Sequence, residues 1–152
     1  IICIFFFTVF SFCSRKNPDY ISGIGSFRFM HMITGSMNPA INIGDIIITK
    51  TVDVGKLKAG DIITFRTPSN ILVTHRIIGI NEDGSYITKG DANAEEDIGL
   101  AVNKDDIIGI YAFRIPKGGY FVDFLNSPAG AIFFILLSIV IFAGDEVKTS
   151  TI

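Results

Sequence analysis

A serine stands in the run Thr34-Gly35-Ser36-Met37-Asn38-Pro39. Gly35 permits a sharp turn and Pro39 stiffens its exit, so the run predicts a hydroxyl held out from the fold. A serine hydroxyl is a weak nucleophile at neutral pH and needs a neighbouring base. The chain has two histidines, His31 and His75. Imidazole suits the task because its ordinary pKa lies near neutrality. A carboxylate beside it would select the tautomer and stabilise the imidazolium that forms. Carboxylates of that kind are offered by Gly90-Asp91-Ala92-Asn93-Ala94-Glu95-Glu96-Asp97. Ser36, His75 and either Asp91 or Asp97 would then make a nucleophile, a base and an orienting acid.

Each of these residues also has a plainer reading. Gly-Ser-x-x-Pro describes many ordinary turns. Strand alternation puts Val73, His75 and Ile77 on one face, which suits a structural histidine as well as a base. His31, in the apolar run Phe29 to Ile33, reads as a partly buried histidine near a membrane surface. The acidic loop reads equally as a solvated loop. Asp91, Asn93, Glu95 and Asp97 alternate like the first ligands of a calcium loop, but Glu96 stands where glycine is required and Val102 where a bidentate glutamate is required. No metal or cofactor is implied.

Positioning these groups falls to a β-rich middle, from about residue 20 to 120. Ile46-Ile47-Ile48-Thr49, Ile62-Ile63-Thr64-Phe65, Ile71-Leu72-Val73 with Ile77-Ile78, Tyr86-Ile87-Thr88 and Ile107 to Ile115 are short β-branched runs bounded by turn residues. Asp83-Gly84 predicts a hairpin joining the His75 strand to the Tyr86 strand, which would return the acidic loop alongside His75. Gly-Asp-Ile-Ile occurs at 44–47 and again at 60–63, read as two hairpins that begin with the same turn chemistry rather than as a repeat. Short strands with frequent turns predict a mostly β fold, a small antiparallel barrel or coiled sheet.

The ends differ in character. Mean hydropathy is +0.48, and the excess lies in residues 1–14 and 129–144, neither of which carries a charge. A spanning helix needs roughly 20 apolar residues. Both segments are nevertheless expected to be transmembrane, the first as the remainder of a longer one because the chain starts without methionine. Arg15-Lys16 suggests a cytoplasmic flank. Cys3 and Cys13 fall inside the first apolar segment and read as small hydrophobes. A net charge of −2 with interspersed signs offers no basic patch for nucleic acid.

Taken in order, Gly35-Ser36-Met37-x-Pro39, Gly60-Asp61-Ile62-Ile63-Thr64-Phe65, Thr74-His75-Arg76-Ile77 and Thr88-Lys89-Gly90-Asp91-Ala92-Asn93 followed by Asp97 resemble a type I signal peptidase of the endoplasmic-reticulum and archaeal branch, which Gram-positive SipW-type enzymes share. The resemblance covers roughly Thr34 to Tyr120. It implies a membrane-anchored serine endopeptidase that removes signal peptides from secreted preproteins after small residues. Ser36 would be the nucleophile, and His75 the base in place of the lysine of ordinary bacterial enzymes. Asp97 is the preferred orienting acid, with Asp91 supporting the loop or the histidine. Ala92 departs from the asparagine more usual there. The Ser36 N–H and the Thr34 hydroxyl would serve as oxyanion donors. Met37, with Phe29, Met30 and Ile41, would either line shallow substrate pockets or pack the core. Lys89 does not suit the role of base, because a lysine base must be desolvated. Partners implied are preprotein signal peptides, membrane lipid and accessory or translocon proteins. The implied setting is the plasma or endoplasmic-reticulum membrane, with the catalytic domain on the extracytoplasmic or lumenal face. Two other functions fit the pattern less well: a catalytically silent, membrane-tethered β domain that organises a secretion partner, and a LexA-like self-cleaving regulator.

Overall fold

The β-branched runs become strands in a computed structural model that describes residues 23–97 and 101–149. In chain order the strands are β1 (Gly23–Ile24), β2 (Phe27–His31), β3 (Ile46–Lys50), β4 (Ile62–Arg66), β5 (Leu72–Ile80), β6 (Tyr86–Lys89) and β7 (Ile107–Ile115). They form one sheet in the order β1-β2-β3-β7-β4-β5-β6, with every pairing antiparallel. The strand expected to carry His75 between the Ile71 and Ile77 runs is β5. Its hairpin to β6 turns through Asp83 and Gly84, where Gly84 has a φ of 82°. The Asp83 carboxylate accepts from the Ser85 N–H at 2.9 Å and the Ser85 hydroxyl at 2.6 Å. Those two bonds hold the Asp83 carboxyl below its usual range.

Strands β3 and β4 bury residues on both faces: Ile47, Ile48 and Thr49 in one, Ile63, Thr64 and Phe65 in the other. Both faces of the sheet are therefore covered, and the strands are bent by bulges at Ile48/Thr49, Thr64/Phe65 and Ile77/Gly79. Leu57, Ile63, Phe65, Ile77, Tyr86 and Val102 fill one cluster. Met32, Met37, Ile41 and Ile47 fill the other.

The repeated Gly-Asp-Ile-Ile does build the same turn twice. Gly44 and Gly60 have φ of 83° and 97°. The Asp45 carboxylate accepts the Asn42 N–H, and the Asp61 carboxylate accepts the Lys58 N–H, each at 3.0 Å. Each turn leads into a strand, β3 or β4, but these strands are not neighbours because β7 lies between them. The aspartates then diverge. Asp45 is 1% exposed, and it also accepts Arg114 Nη1 at 2.5 Å and the Lys117 N–H at 3.0 Å. Burial alone would raise its carboxyl, but the Asn42 and Lys117 N–H groups and the Arg114 guanidinium outweigh it and hold the pKa below the usual value. A carboxyl depressed on folding stabilises the fold above its unfolded pKa, and that contribution is lost as pH falls through the folded value. Asp45→Ala, which leaves two N–H groups and an arginine short of a partner, is expected to cost about 3 kcal/mol. Urea unfolding of both proteins at neutral pH and near pH 3 checks this: the gap should narrow in acid.

Residues 21–119 form one compact unit, and the described part of a second begins at Tyr120. Helix α1 (Gly118–Leu125) ends at Asn126-Ser127, and helix α2 (Pro128–Thr149) follows. Pro128 suits a helix start, and the Ser127 hydroxyl caps it by accepting the Gly130 N–H at 3.1 Å. A Cβ on Gly130 would lie 2.1 Å from the Phe124 carbonyl oxygen, so the close approach at this bend requires glycine. Among the described residues no single helix is long and apolar enough to cross a membrane. Gly118–Leu125 and Pro128–Val140 pass that test together, bent by 72°. The segment expected to span at residues 1–14 lies outside the described residues.

Candidate active site

His75 lies on β5 opposite Ile63 of β4. Its neighbours by alternation, Val73 and Ile77, both pack in the first cluster with Ile63 and Phe65, and His75 itself is buried. The Phe65 ring meets the imidazole edge to face at a centroid distance of 6.5 Å. Its side chain is 10% exposed, and its Nδ1 is 2.5 Å from Asp97 Oδ2. The Thr88 hydroxyl on β6 donates to the same oxygen at 2.8 Å. A carboxylate only accepts, and that hydroxyl has spent its one proton, so the Nδ1 contact is served by a proton on the ring. In the neutral ring Nε2 is then left with its lone pair, the arrangement a general base needs.

Asp97 stands in a loop, yet it is tied to strands. Its N–H donates to the Thr88 carbonyl at 3.0 Å, and Val102 exchanges two 2.9 Å backbone bonds with Tyr86. The segment after the acidic loop is thus anchored beside β6 at both points.

Asp91 is engaged elsewhere. Its carboxylate takes a forked pair of bonds from Arg76, from Nε at 2.8 Å and Nη2 at 2.6 Å, while Arg76 Nη1 donates to the Gly60 carbonyl at 2.9 Å. The Asp91 bonds raise the arginine pKa above its usual value against the opposing effect of burial. This fork pins the start of the loop to β5. Lys89 Nζ donates to the Ala94 carbonyl at 3.2 Å and ties the loop to its own base.

Ser36 belongs to the long connection between β2 and β3. Its carbonyl accepts the Ala92 N–H at 2.8 Å. A Cβ on Gly90 would lie 2.7 Å from the Ser36 carbonyl oxygen and 2.8 Å from Asn93 Nδ2. Gly90 is therefore where the acidic loop meets the serine turn. Gly35, by contrast, is not among the glycines with positive φ, and a Cβ there would meet Ile43 only at an ordinary 3.6 Å. The expectation that Gly35 makes the turn possible is corrected: the indispensable glycine lies on the acidic loop. Gly90→Ala pushes against backbone that cannot give cheaply. It is expected to lower turnover about 100-fold, the scale for a misplacement of roughly 1 Å, while Gly35→Ala stays close to wild type. Parallel kinetics on the two variants check this.

Ser36 is half-buried and makes no hydrogen bond to His75 among the described residues; serine and base are brought to one loop without being joined. Thr34 is exposed. Met37 and Ile41 are fully buried in the second cluster, with Met30 packed against it. Of the two roles open to Met37, the side chain takes core packing, leaving only its backbone to meet a ligand. The ring of His31 lies against Gly119, where a Cβ would be 2.1 Å from Nε2. Thr88 and Arg76 had no functional reading from type alone. Counting forward along β6 from the Asp83-Gly84 turn is the available signal for Thr88.

Residues 20–91 match the family model described as signal peptidase, peptidase S26. The chain is 36% identical over 108 residues to signal peptidase I W of Bacillus subtilis, covering 68% of this chain and 56% of that protein. It is 33% identical over 100 residues to the signal peptidase complex catalytic subunit SEC11 of Scheffersomyces stipitis, covering 59% of this chain and 60% of that one. It is 29% identical over 107 residues to the human signal peptidase complex catalytic subunit SEC11C, covering 63% of this chain and 56% of that one. The chain thus spans a little over half the length of these relatives.

Proposed function

We propose, for a chain whose residues 20–91 match the family model described as signal peptidase, peptidase S26, a membrane-associated serine endopeptidase that removes signal peptides from preproteins after small residues. The observation that carries the reading is the 2.5 Å contact of His75 Nδ1 with Asp97 Oδ2, made beside the loop that receives the Ser36 carbonyl. Ser36 is the nucleophile and His75 Nε2 takes its proton as Oγ attacks the scissile carbonyl. The tetrahedral intermediate is met by the Ser36 N–H, with the Thr34 hydroxyl as a second donor. His75 then protonates the leaving amine. An acyl-enzyme remains, and His75 next removes a proton from the water that releases it. Asp97 holds the imidazole in its working tautomer throughout, and Asp91 acts through Arg76 on the loop.

The bent pair α1 and α2 is the membrane-associated part in this reading. Ile132, Phe133, Ile135, Leu136, Leu137, Ile139 and Val140 are all exposed along α2, an apolar surface that lipid would cover. The active site would lie on the extracytoplasmic or lumenal side, where signal peptides emerge. Accessory or translocon subunits are compatible with relatives named as catalytic subunits of a complex. A catalytically silent β domain is not favoured, since the relatives are named as peptidases or catalytic subunits.

The test is processing of a model preprotein by the full chain in membranes, followed by mass analysis of the cleavage point. Cleavage after a small residue, lost in Ser36→Ala, is the expected result. Processing unchanged in that variant overturns the reading.

A further inference from the structure

We propose that Thr88 is a positioning residue for the reaction: its hydroxyl aims the Asp97 carboxylate at His75 and shares the oxygen that the imidazole uses. The inference rests on the Ser36–His75–Asp97 reading and deepens it.

Three observations meet at this side chain. Thr88 is fully buried, so its hydroxyl has no water to satisfy it and must bond within the protein. The hydroxyl donates to Asp97 Oδ2 at 2.8 Å, the same atom that His75 Nδ1 approaches at 2.5 Å. The Thr88 carbonyl accepts the Asp97 N–H at 3.0 Å. One strand residue therefore holds Asp97 at both its backbone and its carboxylate.

The need for such a clamp follows from the local chain. Ala92 to Glu96 are exposed and belong to no strand or helix, so the loop itself does little to direct the carboxylate. Thr88 is in β6, held opposite Ile77 of β5, two residues from His75 on the same strand. The bond thus refers the acid to the same rigid frame that carries the base. Without it, only the imidazole contact would direct the Asp97 side chain, and the acid could rotate away as the ring moves between serine and leaving group.

The chemistry also separates Thr88 from a filler of the core. Valine has nearly the same shape but no hydroxyl, and serine keeps the hydroxyl with less bulk. A purely structural threonine would tolerate valine better than serine; a positioning threonine would behave in the opposite way.

The experiment measures preprotein cleavage by the full chain in membranes for Thr88→Val, Thr88→Ser, Asp97→Asn and the Thr88→Val/Asp97→Asn double variant. Thr88→Val is expected to lower kcat about 10- to 100-fold with KM within about twofold, the scale for losing an orienting partner. Thr88→Ser is expected within about threefold of wild type. In the Asp97→Asn background, Thr88→Val is expected to add little, because the group it orients is already changed. A Thr88→Val enzyme with wild-type kcat overturns the proposal, as does a Thr88→Ser enzyme no better than the valine variant. Full additivity in the double variant overturns it too, and if Thr88→Val alone does not fold, the serine variant decides. Ser36→Ala and His75→Ala are run alongside. If they also cleave, the peptidase assignment fails; if they are inactive while Thr88→Val is normal, only the role of Thr88 fails.

Discussion

Removal of the His75 imidazole is expected to lower kcat for preprotein cleavage by about 10⁵-fold, and removal of the Ser36 hydroxyl by a similar factor. The two losses come from one chemical event. Without the base, the hydroxyl keeps its proton and remains a poor nucleophile. Without the hydroxyl, the base has nothing to activate but water. The double variant Ser36→Ala/His75→Ala should therefore be no slower than either single variant, because groups that act as a unit lose their whole contribution once. KM should change little if preprotein binding rests on backbone and apolar contacts away from Oγ. Single-turnover cleavage by the membrane-bound chain measures all three. A His75→Ala enzyme within about tenfold of wild type would show that another group serves as base. Lys89 is then the first residue to replace.

Exchange of Asp97 for asparagine is expected to cost about 10⁴-fold, far more than the same exchange at Asp91. At Asp97 the difference lies in hydrogen-bond polarity. The carboxylate only accepts and draws a proton to Nδ1, whereas an amide NH₂ turned toward the ring donates and requires a bare Nδ1. The proton then sits on Nε2, where the lone pair is needed. Asp91 faces Arg76, and an asparagine there still accepts one arginine N–H while losing the charge and one arm of the fork. The expected cost is about tenfold, with a lowered thermal midpoint because the loop is less firmly tied to β5. Rates and melting profiles of the two variants, measured together, test the assignment. If Asp91→Asn is the more damaging in rate while its melting profile is unchanged, the roles of the two aspartates are reversed.

Much of the sheet was legible before any tertiary structure was known. The β-branched runs at Ile46, Ile62, Tyr86 and Ile107 correspond to β3, β4, β6 and β7, because strand propensity and flanking turns act over a few residues. The alternation around His75 placed it on one face with Val73 and Ile77, which both pack in the first cluster, for the same reason. The runs at Ile71 and Ile77 lie in one strand, as alternation through His75 requires, and pairing with β4 on one side and β6 on the other carries the ladder through Thr74 to Arg76. One feature was less visible. The paired Gly-Asp turns gave no sign that Asp45 would be buried against Arg114 while Asp61 would not, since both have the same local bonding.

Composition and order determined the residue types: one serine turn, a histidine on a strand, a hairpin and an acidic loop that returns beside it. The spacing of Asp83-Gly84 between His75 and the loop made their approach a local matter of one hairpin. Only the tertiary structure decided how those pieces meet. It set Asp97 on His75 and Asp91 on Arg76, with the Thr88 hydroxyl sharing the first carboxylate and the Arg76 guanidinium forking onto the second. It moved the critical glycine from Gly35, next to the serine in sequence, to Gly90, where the backbone of a distant loop touches the Ser36 carbonyl. Propensity and turn chemistry depend on neighbours along the chain. Contact between Ser36 and Gly90, or between Thr88 and Asp97, depends on strand register and steric fit, which exist only once the sheet has formed.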